Sequence, residues 1–318
     1  MSNQPSTQRD PSSPTLPVDP RWPRAGHWLA AGPADRSVDG PVDLAVLGVP
    51  ASRTSISPTG AHATPAAVRQ ALLRLGTWSW RHRLDLADLV PLDLGDVPDP
   101  DADEAATEAA VAAGLSRARL LLALGGDNSI TCAVARGAAG DRLPAAGLVT
   151  LDAHHDLRDG RSNGSPVRRL VEAGLAGTRV VQIGIADWAN SPEYAARARD
   201  LGITVVPLHE AERRPMADVV AEALDVAGAG GGPVHVDLDV DVCDRSVVPA
   251  CPAALPGGLG ARALLDAAHA AARDPRVRSM DLTEVDATAD APDGRTVRLV
   301  ALAVLEAAAG LALRPAGA

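Results

Sequence analysis

Short aliphatic runs alternate with longer alanine-rich stretches along most of this chain. DLAVLGV (43–49), RLLLALGG (119–126), AGLVTLD (146–152), RVVQIGI (179–185), ITVVPL (203–208), PVHVDLD (233–239) and VRSMDL (277–282) are continuous apolar segments of strand length. Each predicts a strand covered on both faces rather than one with a wet side. Stretches of helical length fall between them, at roughly 64–75, 104–117, 129–138, 192–201, 216–227, 261–273 and 295–312. Thr64-Pro65 reads as a helix start, with Thr as N-cap and Pro at the first helical position. Strand and helix in turn predict an α/β fold: a three-layer α/β/α sandwich around a mostly parallel sheet of about seven or eight strands.

In such a sheet, ligands collect at the carboxyl ends of the strands. The polar clusters fall there. GGDNS (125–129), DAHHD (152–156), DLDVDVCD (237–244) and DLTEVD (281–286) each end a predicted strand, so four strand ends can feed one crevice. GAGGGP (228–233) follows a helix and precedes a strand, the wrong order for a phosphate cradle, and reads as a loop.

Composition narrows the function. The 318 residues are 46% hydrophobic and 22% charged, sufficient for a sizeable core. All 30 basic residues are arginine, and the net charge of −10 disfavours nucleic acid and anionic membrane surfaces as partners. No apolar stretch reaches the roughly 18–20 residues that span a bilayer. Cys132, Cys243 and Cys251 make no disulfide framework. Residues 1–22, rich in Pro, Ser and Asp and without an apolar signal core, read as a disordered arm ahead of a single domain over 23–318. The expected location is cytoplasmic.

Along a strand, alternate side chains share a face, so Asp152, His154 and Asp156 are expected on one side, and Asp237, Asp239 and Asp241 on another. Carboxylates gathered at buried strand ends are costly unless a cation neutralises them. Oxygen donors with one imidazole suit Mn²⁺ or a similar octahedral ion better than a tetrahedral zinc. Asp152, Asp156, Asp239 and Asp241 carry four negative charges, the balance for two divalent ions. Two such ions activate water near neutral pH. From the residues alone, the chemistry is binuclear metal-assisted hydrolysis.

These motifs resemble the ureohydrolase superfamily of arginases, agmatinases and formimidoylglutamases, in order and over nearly all of the chain beyond residue 42. GVP (48–50), SPTGAHATPAAVR (57–69), DLGDV (93–97), GGDNS, DAHHD, DVDVCDRSVVPACPAALPGGL (239–259) and EVD (284–286) are similar to the family's successive signatures. The resemblance implies an arginase-like sandwich with an eight-stranded sheet and two Mn²⁺ ions per subunit. It implies metal ligands at Asp152, His154, Asp156, Asp239 and Asp241, with Asp152 and Asp239 bridging. Asp156 would also accept a hydrogen bond from the attacking water species, and Glu284 would pair with the cationic amidine of the substrate. Homo-oligomers, trimers or hexamers, are usual in the family.

Two positions depart from it. Asn128 stands where GGDHS carries a histidine ligand; an amide oxygen is the weaker donor, so one metal site is expected to be looser. Asn163, in NGSP, stands where arginases and agmatinases have a loop histidine, and an asparagine cannot shuttle protons. The surrounding loop is rich in arginine, with Arg158, Arg161, Arg168 and Arg169, which suits a substrate bearing carboxylates. Asn163, Arg158 and Arg161 are therefore the expected substrate contacts. The expected reaction is hydrolysis of a linear amidine, N-formimino-L-glutamate to glutamate and formamide, as in histidine degradation. A urea-releasing agmatinase or guanidinobutyrase is the alternative. A catalytically impaired subunit with a structural or regulatory role is the alternative of another class. His155 is expected on the opposite strand face, Cys243 as a small buried residue and His62 at the cleft entrance. Trp78, Trp80 and Trp188 are expected in the core or at subunit contacts, with Trp188 able to wall the pocket.

Overall fold

All seven apolar runs become strands in the computed structural model, which describes residues 19–31 and 40–315. In chain order the strands are β1 Val42–Val49, β2 Trp78–Ser79, β3 Leu84–Asp85, β4 Pro91–Asp96, β5 Ala118–Gly125, β6 Gly147–Leu151, β7 Val180–Ile185, β8 Thr204–Pro207, β9 Val234–Asp239 and β10 Val277–Thr283. The helices are α1 Ala25–Ala31, α2 Thr64–Leu72, α3 Glu104–Leu115, α4 Ile130–Ala139, α5 Pro166–Glu172, α6 Pro192–Asp200, α7 Leu208–Ala211, α8 Met216–Ala227, α9 Ala261–Arg273 and α10 Arg295–Ala312. Eight strands form one parallel sheet in the order β4-β1-β5-β10-β9-β6-β7-β8, and β2 and β3 make a separate hairpin.

Burial on both faces explains the unbroken apolar runs. In β1 and β5, Leu44, Val46, Leu120, Leu122 and Leu124 join one core with residues of α2, α8, α9 and α10. Their neighbours Ala45, Leu47, Leu121 and Ala123 join another with residues of α3 and α4. A third cluster packs Leu148 and Val180 with residues of α4, α5 and α6. Each fully buried leucine contributes about 1.5–3 kcal/mol, and polar side chains buried inside the strands are paired, as Gln182 is with His155 and His235 with Ser279.

The structure departs from expectation in several places. β4 was legible only as the DLGDV signature, because its alternation of Leu with Asp at the sheet's edge imitates a loop. Thr64 is not a side-chain N-cap: a 3-10 turn over Ala61–Ala63 leads into α2, and the Thr64 hydroxyl instead donates to the Val285 carbonyl at 2.5 Å. That bond ties α2 to the loop after β10. Trp78, Trp80 and Trp188 are not core residues, being 54%, 71% and 100% exposed. The arm expected over 1–22 lies outside the described residues as far as residue 18; from Asp19 to Trp22 the chain makes a turn. Among the described residues no helix is long and apolar enough to cross a membrane.

β5, β10, β9 and β6 are consecutive in the sheet. Their carboxyl ends therefore bring GGDNS, DLTEVD, DLDVD and DAHHD side by side. The turn after β5 is tight: a Cβ on Gly126 would lie 1.8 Å from the Ala51 carbonyl oxygen. Gly126→Ala is expected to cost about 3 kcal/mol by overpacking. Gly95→Ala, at φ 73° in open space, is expected to cost only about 1 kcal/mol from its left-handed backbone. Urea midpoints of the two variants measure the difference.

Candidate active site and metal centre

Of the acids at the crevice, Asp239 is the last residue of its strand and the others lie just beyond theirs. β6 ends at Leu151, and DAHHD continues as irregular chain in which Asp156 takes a left-handed φ of 53°. Asp239 closes β9, while Asp241 lies in a 3-10 turn over Val240–Val242. Glu284 follows β10 with a left-handed φ of 64°. A non-glycine residue is held in that conformation only when its surroundings over-determine it, and both of these acids are anchored. The Glu284 N–H donates to the Gly126 carbonyl at 3.0 Å. The Asp156 carbonyl accepts from the Arg168 N–H at 3.2 Å.

Asp152, His154 and Asp241 converge so that one donor atom of each lies within 4.8 Å of the others. His154 Nδ1 is 2.7 Å from Asp241 Oδ2 and 3.5 Å from Asp152 Oδ1. The other oxygen of Asp152, Oδ2, is buried with no hydrogen-bond partner. Asp239 and Asp156 complete the wall, with Asp239 accepting from the Asp241 N–H at 2.9 Å. Two residues earlier in β9, on the same face as Asp239, Asp237 is buried opposite Asp281 and lies 3.4 Å from the Thr283 hydroxyl.

Asn128 is clamped from both ends. Its amide oxygen accepts from Thr131 at 2.6 Å and Thr283 at 3.2 Å, and its amide nitrogen donates to Asp156 Oδ2 at 2.6 Å. Its backbone N–H donates to Glu284 Oε1 at 2.8 Å. Asn163 reaches the same Glu284 oxygen through its Nδ2 at 2.8 Å, while its Oδ1 accepts from the Ile56 N–H at 3.0 Å. Two asparagines thus orient two carboxylates. The Thr283 and Ile56 contacts depend on how separate strand ends and loops meet, and no motif announces them. Thr131, one helical turn past Asn128, was likewise not singled out from the sequence.

The electrostatics are those of crowded, poorly solvated acids. Burial, reinforced by Asp152 for Asp156 and by Asp241 for Asp239, pushes both carboxyls well above the usual carboxylate range. Burial and then Asp241 raise Asp152 to about 6, with His154 pulling it back. Burial opposes charge on His154, but Asp241 and Asp152 prevail and raise it to about 12. Glu284 rises to about 7 through burial, moderated by the Asn128 N–H and the Asn163 amide. Negative charge here lacks compensation, and Asp152 Oδ2 lacks a partner. One imidazole among several carboxylates, one of them with an orphaned oxygen, fits a hard divalent cation.

A cleft of about 280 Å³ opens over this wall, lined by His154, Asp156, Asp239, Asp241, Asn163 and Glu284, with Arg158 and Tyr194 further along. The expected arginine contacts divide. Arg158 lines the cleft, its stem laid over Gly164, where a Cβ would meet the Arg158 Cδ at 2.8 Å. Arg161 does not line it: its guanidinium pairs with Glu104 at 3.2 Å and donates to the Asp101 carbonyl. Arg168 and Arg169 are likewise tied, to Glu172 and Glu104. His155 is buried against Gln182, 2.7 Å from its Oε1. Cys243 is buried, and His62 is exposed and absent from the cleft wall. Trp188 walls a neighbouring cavity of about 280 Å³ that shares Asp241 with the cleft.

Comparison with known proteins agrees with this geometry. The formimidoylglutamase of Halalkalibacterium halodurans is 34% identical over 268 residues, covering 80% of this chain and 82% of that protein. That of Bacillus subtilis is 32% identical, covering 85% and 88%. The crystal structure of the B. subtilis formimidoylglutamase superposes with a TM-score of 0.86 over 97% of each chain at 30% identity. A Trypanosoma cruzi formiminoglutamase solved with Mn²⁺ gives 0.82 over 92% of this chain and all of that one, at 26% identity. The arginase-family model matches residues 42–310, and the chain belongs to the arginase family.

Proposed function

We propose that this protein hydrolyses N-formimino-L-glutamate to glutamate and formamide. The observation that carries the choice of substrate is Arg158. It is the one arginine of its loop that faces the cleft, while Arg161, Arg168 and Arg169 are engaged by glutamates. Guanidinium is a planar donor matched to carboxylate. A substrate with an amidine at one end and carboxylates at the other would lie between Glu284 and Arg158. The kinship with formimidoylglutamases over most of both chains supports the same reading. Histidine breakdown supplies such a substrate.

Asp152, His154, Asp156, Asp239 and Asp241 would hold a pair of divalent cations, Mn²⁺ by analogy with the T. cruzi structure, which when bound acidify water and offset developing negative charge. Asn128 acts beside them as an orienting amide, because both lone pairs of its oxygen are taken by threonine hydroxyls. Glu284 accepts hydrogen bonds from the formimino N–H groups, held at the right angle by the Asn128 N–H and the Asn163 amide. Asp156, steadied through one oxygen by Asn128, receives a proton of the attacking water through the other. The water oxygen adds to the carbon of the cationic formimino group; as the adduct collapses to the C=O of formamide, the bond from that carbon to the glutamate nitrogen breaks, and the proton held by Asp156 and the remaining hydroxyl proton both pass to that nitrogen, which leaves as an ammonium. No titrating loop side chain is required.

Purified protein supplied with Mn²⁺ is expected to release formamide from N-formimino-L-glutamate and no urea from agmatine, arginine or 4-guanidinobutyrate. Urea from any of these would replace the substrate assignment; no turnover by metal-loaded protein would favour a non-catalytic role. Arg158→Ala is expected to raise KM about 10- to 100-fold, equivalent to about 1.5–3 kcal/mol, with kcat little changed. Arg161→Ala should leave KM as it was.

The raised carboxyls set a second expectation. A group whose pKa is higher folded than unfolded stabilises the fold at low pH and loses that contribution as pH rises to its folded value. Asp152, near 6, and Glu284, near 7, therefore destabilise the metal-free protein as pH climbs from about 4 towards 7, and the raised His154 acts in the same sense above about 6.5. A divalent cation removes the penalty. The gain in Tm on adding Mn²⁺ should be larger at pH 8 than at pH 5, worth about 2.7 kcal/mol once free metal reaches about 100 Kd. A gain that shrinks with rising pH would contradict this account.

Asn128→His offers the centre an imidazole in place of an occupied amide. The variant is expected to keep more Mn²⁺ per chain than the parent after exhaustive dialysis, as measured by elemental analysis.

A further inference from the structure

A second group of donors stands apart from the cleft, in the helical layer formed by α9 and α10. His269 on α9 and Glu306 on α10 face each other, and His82, in the turn of the β2–β3 hairpin, closes over them. One donor atom of each lies within 4.8 Å of the others. Glu306 Oε2 is 2.8 Å from His82 Nε2 and 3.8 Å from His269 Nδ1. The two imidazoles are stacked, with centroids 4.1 Å apart and planes 2° from parallel. All three side chains are largely covered, between 11% and 16% exposed, and none lines the cleft.

The backbone is shaped to bring them together. A Cβ on Gly310 would lie 2.3 Å from the His269 carbonyl oxygen, so α9 and α10 reach this separation only because residue 310 is glycine. The hairpin turn is fixed by the His82 N–H donating to Ser79 Oγ at 3.2 Å and by Arg83 in a left-handed φ of 56°.

We propose that His82, His269 and Glu306 form a separate binding site for an imidazole-preferring divalent cation, zinc by chemical class. Two ring nitrogens and one carboxylate oxygen, with water as a fourth donor, make the tetrahedral set that zinc favours. The cleft, with one imidazole among carboxylates, asks for a harder ion. Charge permits the site. Arg81 pairs with Asp266, and Arg262 pairs with Asp266 and with Glu306 Oε1, so two arginines and two acids cancel and Oε2 stays turned to the histidines. Two stacked imidazolium ions would repel, so at least one ring is neutral, the form that ligates metal. Closing on an ion at about 2.0–2.1 Å from each nitrogen requires the rings to tilt out of parallel. The ion would pin the β2–β3 hairpin to the α9–α10 pair.

The test is elemental analysis of Mn²⁺-loaded protein after incubation with a small excess of Zn²⁺ and gel filtration, on the parent chain and on His82→Ala and His269→Ala. The parent is expected to hold one more zinc per chain than either variant. Zinc replacing manganese at the cleft is common to all three and cancels. Glu306→Gln leaves His82 a hydrogen-bond partner, and so the local packing, yet is expected to lose the same zinc. Zinc should also raise the Tm of the parent more than that of the variants. Equal zinc in the parent and the three variants overturns the proposal, as does loss of zinc only in variants whose metal-free melting shows them unfolded.

Discussion

The arrangement of this protein turns on how five buried carboxyl groups are kept in one place. Asp152, Asp156, Asp239, Asp241 and Glu284 are all at most 7% exposed. Water cannot screen their mutual repulsion, and in a weakly polar interior that repulsion is large. Three responses are built in. His154 supplies local positive charge between Asp152 and Asp241. Backbone N–H groups are turned onto the carboxylates, as from Ala153 to Asp241 Oδ1 at 3.0 Å and from Asn128 to Glu284. The remaining deficit, concentrated at the unpartnered Asp152 Oδ2, is left for a cation. The fold thus stores a destabilising feature at the crevice where chemistry is done, and the apolar strands beneath compensate for it.

The two asparagines follow from the same constraint. A histidine at 128 or 163 would bring a titrating ring and a metal-seeking or proton-carrying nitrogen. An asparagine brings a fixed donor and a fixed acceptor. At 128 the acceptor is used up by Thr131 and Thr283, so the amide nitrogen can only face Asp156. At 163 the Ile56 N–H takes the acceptor, so the nitrogen faces Glu284. Positioning replaces titration at both places. Neither amide titrates, so neither can carry a proton across the cleft.

Much of this was legible in the sequence because parallel sheets write themselves plainly. Strands buried on both faces are uninterrupted apolar runs, and their carboxyl ends are where polar clusters interrupt them; seven strands and all four acidic clusters were visible on that ground. β4 was not, because an edge strand with one side open carries Asp93 and Asp96 where the others carry leucine, and those acids serve Arg69. Strict alternation placed Asp152, His154 and Asp156 together for an incomplete reason: the strand stops before them, and a left-handed turn at Asp156 completes the wall. Arg158 and Arg161 could not be told apart in advance. Their fates depend on Glu104, more than fifty residues upstream, which takes Arg161 and Arg169 and not Arg158.

That partition shows how the charge of the loop after DAHHD is distributed. Its four arginines would make an unselective cationic patch if all were free. Glutamates remove three of them, and their salt bridges fasten the loop to α3 and within α5. The loop so braced carries Gly164 beneath the Arg158 stem and Asn163 against Glu284. Arg158 at the cleft wall and Glu284, which the same loop steadies through Asn163, are thus both held by one braced segment and its partners. A ligand that engaged both would be selected by length as well as by charge, against a loop already ordered when it bound.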